Sequence, residues 1–320
     1  MIKGILFIWA LLRVFFFLPP DVPVYAQDQE ASRIRIAAIP NNPRPGEPVT
    51  IGLAGAEAAH FQAVLIDARG RRLAKASFFT LAADKEGRAV QAAILPVPCT
   101  AKPGTALIQV ENGDGRIGEI LLAISNREFV SEEIVLDQRN TDLRTVADPQ
   151  KAAESNLLWG IISRTGTVVY AEDAFIPPVQ SARRTSFFGD RRVFKYADGS
   201  SAFSIHAGID YGVPLGTEVR ACAAGKVVLA RSRIVTGNSV IIEHLPGVYS
   251  LYYHLDRIQV KEGTVVNAGT VLGQSGATGL ATGPHLHWEI RVAGENTDPD
   301  ALVSRPILDK EAILSIFNSF

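Results

Sequence analysis

From Thr185 onward the chain places a glycine every few residues, at Gly189, Gly199, Gly208, Gly212, Gly216, Gly225, Gly237, Gly247, Gly263, Gly269, Gly273, Gly276, Gly279 and Gly283. Segments this short leave no room for an ordinary helix, whereas tight turns between short strands use glycine's backbone freedom directly. The spacing predicts a compact all-β unit carrying a groove, with Leu308 to Phe317 as a short closing helix. Between Ile34 and Ile124 the texture differs. Apolar runs such as Ala63 to Ile66 and Ala106 to Val110 alternate with turn chemistry at Asn41 to Pro48, Arg69-Gly70, Lys85 to Gly87, Lys102 to Gly104 and Asn112 to Gly115. That alternation predicts an antiparallel β-sandwich of immunoglobulin-like type.

Residues 127–147 are rich in charge and poor in pattern. Asp148-Pro149 then supplies a helix cap and a proline at the first helical position, predicting a helix to about Ser163. Its apolar face of Ala153, Leu157 and Ile161, with Leu158 and Ile162 beside them, should pack on a neighbour. The expected fold is mainly β, and a chain of 320 residues that is 47% hydrophobic has enough core for two domains. The expected divisions are a leader over 1–26, a β-sandwich over 30–126, a connector with one helix over 127–180, an all-β domain over 181–305 and a tail over 306–320. The connector either joins the domains or lies across the groove as an inhibitory element.

Lys3, the apolar run from Gly4 to Leu18, Pro19-Pro20 and Val24-Tyr25-Ala26 read as an export signal cut after Ala26. The run is short, and Arg13 interrupts it, so a stable membrane span is not expected. The expected location is the periplasm or the exterior. Thirty-two basic side chains against 33 acidic ones give a net charge of -1, which leaves no global field to hold nucleic acid or an anionic membrane. Two cysteines, Cys99 and Cys222, make neither a disulfide framework nor a cysteine-based zinc cage. Two separately buried thiols are expected; a bridge would have to join the two domains.

Five of the six histidines stand at or beyond His206, in contexts that carry chemistry. In an extended Pro284-His285-Leu286-His287-Trp288-Glu289, the side chains of His285 and His287 share one face, and Leu286 and Trp288 take the other. His206 and Asp210 share a face if their segment is extended too. Two histidines and a carboxylate are a recurrent zinc set that leaves a fourth position for water, the pattern of a catalytic site. The remaining imidazoles are suited to handling protons and charge. His60 has no partner at ligand spacing and reads as an ordinary surface or half-buried histidine. No histidine is followed by glutamate, so the helical zinc motif is absent, and Ser275 in Gly273-Gln274-Ser275-Gly276-Ala277 lacks the second glycine of a nucleophile elbow.

Residues 183–299 resemble the M23, or lysostaphin-like, zinc metallopeptidase family over nearly its full domain length. The resemblance rests on an ordered series: Ser186-Phe187-Phe188-Gly189-Asp190-Arg191-Arg192, His206 to Asp210, Gly216-Thr217-Glu218-Val219, Gly225-Lys226-Val227 and Gly237-Asn238-Ser239-Val240-Ile241-Ile242-Glu243-His244. It continues through Tyr252-Tyr253-His254-Leu255, Gly273 to Gly279 and Thr282-Gly283-Pro284-His285-Leu286-His287. The resemblance implies that His206, Asp210 and His287 hold one Zn2+ per chain, and that His254 and His285 are the catalytic pair, either one serving as base. It further implies an active peptidase acting on peptidoglycan peptides, with the N-terminal domain positioning the catalytic one or meeting a protein regulator. The alternative is a regulator of the same fold, self-occluded or non-hydrolytic, that activates another wall hydrolase. Around the site, His244, Asn238, Tyr252 and Arg191 are expected to support it or line the substrate groove. Glu289 is either an anchor for a ligand imidazole or a plain surface residue. Arg183, Arg184, Arg191, Arg192 and Lys195 form a charge run, either a solvated face or a cationic lip of the groove.

Overall fold

The computed structural model describes residues 24–25, 34–55 and 60–318; the leader expected over 1–26 lies outside them, Val24 and Tyr25 apart. The chain is mainly β. Its first part comprises β1 (Val24–Tyr25), β2 (Arg35–Ile39), β3 (Pro48–Ala54), β4 (Gln62–Ile66), β5 (Arg72–Ser77), β6 (Phe79–Ala83), β7 (Ala89–Pro96), β8 (Gly104–Asn112) and β9 (Gly115–Ile124). These make two antiparallel sheets, ordered β1-β2-β3-β7-β6 and β5-β4-β8-β9. Val49, Ile51, Leu53 and Leu95 of the first sheet meet Leu65, Ile108, Val110 and Leu122 of the second in one buried cluster. Each apolar run of the sequence thus supplies one side of a two-layer core.

The next stretch departs from expectation. Within the pattern-poor residues 127–147 lie a strand, β10 (Ser131–Val135), and a helix, α1 (Gln138–Thr145), capped by Asp137, whose carboxylate accepts from the Asn140 amide at 2.8 Å. The helix read from Asp148-Pro149 is present as α2 (Pro149–Ile162), with Asp148 accepting from the Gln150 amide. Its apolar face is only half used: Ile162 is buried, Leu158 and Ile161 pack beside it, but Ala153 and Leu157 are exposed.

The C-terminal part contains β11 (Arg184–Ser186), β12 (Arg191–Lys195), β13 (Ser201–Ile205), β14 (Ile209–Tyr211), β15 (Glu218–Arg220), β16 (Gly225–Arg233), β17 (Gly237–Leu245), β18 (Val248–Ile258), β19 (Val265–Val266), β20 (Val271–Ser275), β21 (Leu286–Val292) and β22 (Glu295–Thr297). They are followed by α3 (Pro299–Ser304) and α4 (Lys310–Asn318). The main sheet runs β11-β14-β21-β18-β17-β16-β19, with β15, β20 and β22 attached at its side. Trp288, Tyr211, Leu286, Ile290 and Tyr252 fill the core behind it. A small second sheet, β10-β12-β13, is completed by β10 pairing in parallel with β12. The closing helix α4 returns to the first part, where Ile313 and Phe317 pack so tightly on β3 that a Cβ at Gly52 would lie 2.9 Å from the Phe317 ring. One apolar cluster accordingly contains Val90, Ala92 and Ile94 together with Leu302, Ile307 and Phe317, and Arg127 adds an ion pair to Asp298 at 2.7 Å.

Candidate active site

Strand pairing brings the expected ligand set together. Asp210 on β14 sits directly opposite His287 on β21, and Tyr253 on β18 faces His287 from the other side. His206 directly follows β13, three residues before β14, and the chain between them can approach β21 because residue 208 is glycine: a Cβ there would lie 2.1 Å from the Trp288 carbonyl oxygen. His206 Nε2 is 3.1 Å from His287 Nδ1 and 3.2 Å from Asp210 Oδ1, and His287 Nδ1 is 2.6 Å from Asp210 Oδ1. All three residues are buried. A tetrahedral ion with ligands at about 2.0–2.1 Å spaces their atoms about 3.3 Å apart, so the donor set has the size and chemistry that zinc requires.

The atoms facing away from this triangle are all held. His206 Nδ1 donates to the Phe187 carbonyl at 2.8 Å, which leaves Nε2 as the inward electron pair. His287 Nε2 lies 3.0 Å from Glu289 Oε1, and Arg291 holds the other oxygen of Glu289 at 2.9 Å. Asp210 Oδ2 accepts from Arg192 at 2.7 Å, and Arg192 also donates to Glu132 on β10. Partners of this kind fix ligand orientation and tautomer. Burial opposes charge on His287, but the carboxylates of Asp210 and Glu289 outweigh it and hold the imidazole up at about 9. Burial likewise opposes ionisation of Asp210, and His287 and His206 reverse this, holding the carboxyl well below its usual range. A cation held by these three residues would have to displace the proton that the two carboxylates favour on His287.

His254 and His285 stand beside this triangle, with ring centroids 4.8 Å apart. Each Nδ1 donates to a carbonyl, His254 to Thr278 at 2.8 Å and His285 to Gly283 at 2.9 Å, so each Nε2 is left as an acceptor. His285 Nε2 lies 3.9 Å from Asp210 Oδ1. Burial and the neighbouring His285 push His254 down to about 3, and burial lowers His285 too, so both imidazoles rest neutral. His254 takes a left-handed backbone conformation, φ 61°, a strain of order 1–3 kcal/mol that its surroundings must hold. A groove of about 250 Å³ exposes these groups, walled by Ile134, Leu136 and Arg144 on one side and by residues 280–282 on another.

Not every expected residue lies there. Tyr252 is fully buried on the opposite face of β18, where its hydroxyl accepts from the Cys222 amide at 2.9 Å. The groove wall is formed by Tyr253, whose ring stacks on His287 with a 6° interplanar angle. Arg191 points to the first part of the chain, donating to the Cys99 carbonyl and lying over the Phe129 ring; the residue that reaches Asp210 is Arg192. Within the charge run, Arg184 pairs with Asp300 and Lys195 with Glu133, Arg183 donates to the Gly212 carbonyl, and only Arg192 of the five lines the groove, where it is paired with Asp210 and Glu132. His244 is buried behind the sheet, with Nδ1 on the Ala224 carbonyl and Nε2 on Ser250. Asn238 lies away from the groove: its backbone N–H donates to Thr278 Oγ1, in the loop that receives His254, and its side-chain amide donates to the Asp256 carbonyl. Glu289 does contact the His287 imidazole. Cys99 and Cys222 are both free, the latter buried, and His60 is exposed. Glu132, Tyr253 and Arg291 were missed, and Arg192 was read only as part of the charge run, not as a partner of Asp210; strand alternation around His287 and Glu289 was the signal for Arg291, and nothing local marks Glu132.

The family model for peptidase family M23 matches residues 204–299. The DD-carboxypeptidase/endopeptidase Mpg of Neisseria meningitidis serogroup B is 38% identical over 135 residues, 42% of this chain and 30% of that protein. The peptidoglycan DD-endopeptidase ShyB of Vibrio cholerae is 41% identical over 93 residues, 29% of this chain and 22% of that protein. The chain thus spans less than a third of the length of these curated relatives. A crystal structure assigned to peptidase M23 from Pseudomonas aeruginosa aligns with 82% of this chain and 95% of its own, at a TM-score of 0.56 and 26% identity. The likeness in fold therefore extends well beyond the matched residues, and over 204–299 this chain carries a domain of peptidase family M23.

Proposed function

We propose that this chain is an exported zinc-dependent endopeptidase that hydrolyses peptide bonds in peptidoglycan cross-links or stem peptides. The observation that carries the reading is the convergence of His206, Asp210 and His287 within hydrogen-bond distance, beside two neutral imidazoles opening on the same groove. The relatives named as peptidoglycan DD-endopeptidases support the substrate class. Export is supported by the leader sequence, and no helix among the described residues is long and apolar enough to cross a membrane. The strand order β2-β3-β7-β6 against β5-β4-β8-β9 supports an immunoglobulin-like first domain, read here as the part that positions the peptidase or meets a regulator.

His206 Nε2, Asp210 Oδ1 and His287 Nδ1 would hold the metal. When bound, zinc supplies Lewis acidity at the scissile carbonyl and lowers the pKa of a water. The protein's own groups do the rest. His254 and His285, their Nδ1 protons fixed on carbonyls, present Nε2 lone pairs: one accepts a proton from the attacking water, and the imidazolium so formed can donate that N–H to the developing oxyanion before passing the proton to the leaving amine. Tyr253 closes one side of His287 against water. The other reading, a self-occluded regulator, draws on the connector's presence at the groove wall. Against it, among the described residues no side chain of 127–180 bonds directly to His206, Asp210 or His287.

Digestion of purified peptidoglycan with zinc, with products identified by mass, tests the proposal. New peptide ends from the wild type and none from His287→Ala establish the endopeptidase and name its bond. Intact peptidoglycan in both reactions favours the regulator.

A further inference from the structure

The groove wall holds two arginines, and they are placed differently. Arg192 is committed to Asp210 and Glu132. Arg144, in the last turn of α1, has no carboxylate partner among the described residues: its Nε donates to the Tyr196 hydroxyl at 3.0 Å, and its guanidinium lies 4.0 Å from the centre of the Phe194 ring. The ring and the hydroxyl anchor the group from two sides, and among the described residues its two terminal nitrogens have no hydrogen-bond partner, which leaves them for a ligand in the groove. The helix that carries it is also fixed. Asn140 bonds the Ala281 carbonyl at 3.4 Å, in the loop leading to His285, and Thr141 Oγ1 accepts from the Ala197 amide at 3.0 Å. A rigid, half-buried, unpaired guanidinium at the mouth of a peptidase groove has the geometry for a two-pronged grip on a carboxylate.

We propose that Arg144 is the substrate-binding residue that recognises a free carboxylate beside the scissile bond, making acidic peptides the preferred substrates of this groove. The assignment rests on the peptidase reading above and deepens it. It comes from α1, outside the residues matched to the M23 family, so the connector contributes to substrate choice as well as to structure. Peptidoglycan peptides offer two sources for that carboxylate, the C-terminal α-carboxylate and the side-chain carboxylate of a diamino acid, and amidation separates them.

The test uses the full zinc-loaded chain on a synthetic D-alanyl–diamino acid cross-linked peptide in three forms: free acid, α-amide and side-chain amide. Arg144→Gln should raise KM for the free acid roughly 10- to 100-fold while leaving kcat nearly unchanged, as expected for loss of a charge-assisted hydrogen-bond pair made equally in ground and transition states. Arg144→Lys, which keeps charge but not the fork, should recover part of this. One amide should already bind poorly to the wild type and lose nothing further in Arg144→Gln, which identifies the carboxylate. An equal rise in KM for all three forms, or no rise, overturns the proposal. If the wild type cuts none of them, the peptidase reading fails separately. Calorimetric binding of the same peptides then decides on Arg144: an acid-over-amide preference lost in Arg144→Gln upholds it, and equal binding removes it.

Discussion

Two buried histidine clusters lie on opposite faces of one sheet, and they behave in opposite ways. His287 and His244 are both deeply buried. His287 has Asp210 and Glu289 against its two nitrogens and is held up at about 9, whereas His244 has a carbonyl and the Ser250 hydroxyl and is pushed by burial down to about 4. Burial is common to both; the carboxylate is not. A buried imidazole with neutral partners is a structural hydrogen-bonding group, while one facing carboxylates is a place where a cation belongs. Tyr252 and Tyr253, neighbours on β18, divide along the same line, one into each cluster.

The comparison can be broken first at the groove. Replacing His254 or His285 by alanine should cut kcat by roughly 10²–10⁴-fold while zinc stays bound, if these groups handle protons as proposed. Loss of zinc along with activity would put them in the ligand set instead. The second break is by pH. Because His244 is depressed in the folded state, the unfolded chain binds the extra proton between about pH 4 and 6.5, so stability is fully present above that window and falls as pH is lowered through it. The contribution of His244 is about 3 kcal/mol. Denaturant unfolding of wild type and His244→Gln across this range should show a flatter pH dependence in the variant; parallel curves would mean that His244 is not buried neutral. The third concerns the outer supports of the ligands. Glu289→Gln should weaken zinc affinity roughly 10- to 100-fold by chelator competition, and Glu132→Gln should sit at the lower end of that range because it acts through Arg192. Unchanged affinity in Glu132→Gln would confine β10 to a packing role.

The comparison also shows what sequence can and cannot place. His206, Asp210, His285 and His287 were legible because their spacing within short extended segments already puts them on one face, and the glycines around them admit only tight turns. Asp148-Pro149 marked a helix start because the capping bond to Gln150 is local. Two site expectations were off by one residue: Tyr252 for Tyr253, and Arg191 singled out where Arg192, read only as part of the charge run, reaches Asp210. In a strand a one-residue slip exchanges the two faces, and the parity is set by pairing with a distant strand. For β18 that partner is β21, which aligns Tyr253 with His287; for β12 it is β10 and β13. Glu132 reaches Arg192 across 60 positions through a parallel pairing, and residues 127–147 carry no periodicity that would announce either β10 or α1. Helix α4 was expected as a tail, but its clamp on β3 depends on the bare surface at Gly52, which is visible only once the two parts meet.

The most direct measurement is zinc content per folded chain, by native mass spectrometry, for the wild type, His287→Ala and His244→Gln. One equivalent in the wild type, none in His287→Ala and one in His244→Gln is the expected result. Stoichiometric zinc retained by His287→Ala, or lost from His244→Gln, would contradict the assignment of the metal to the carboxylate-partnered face.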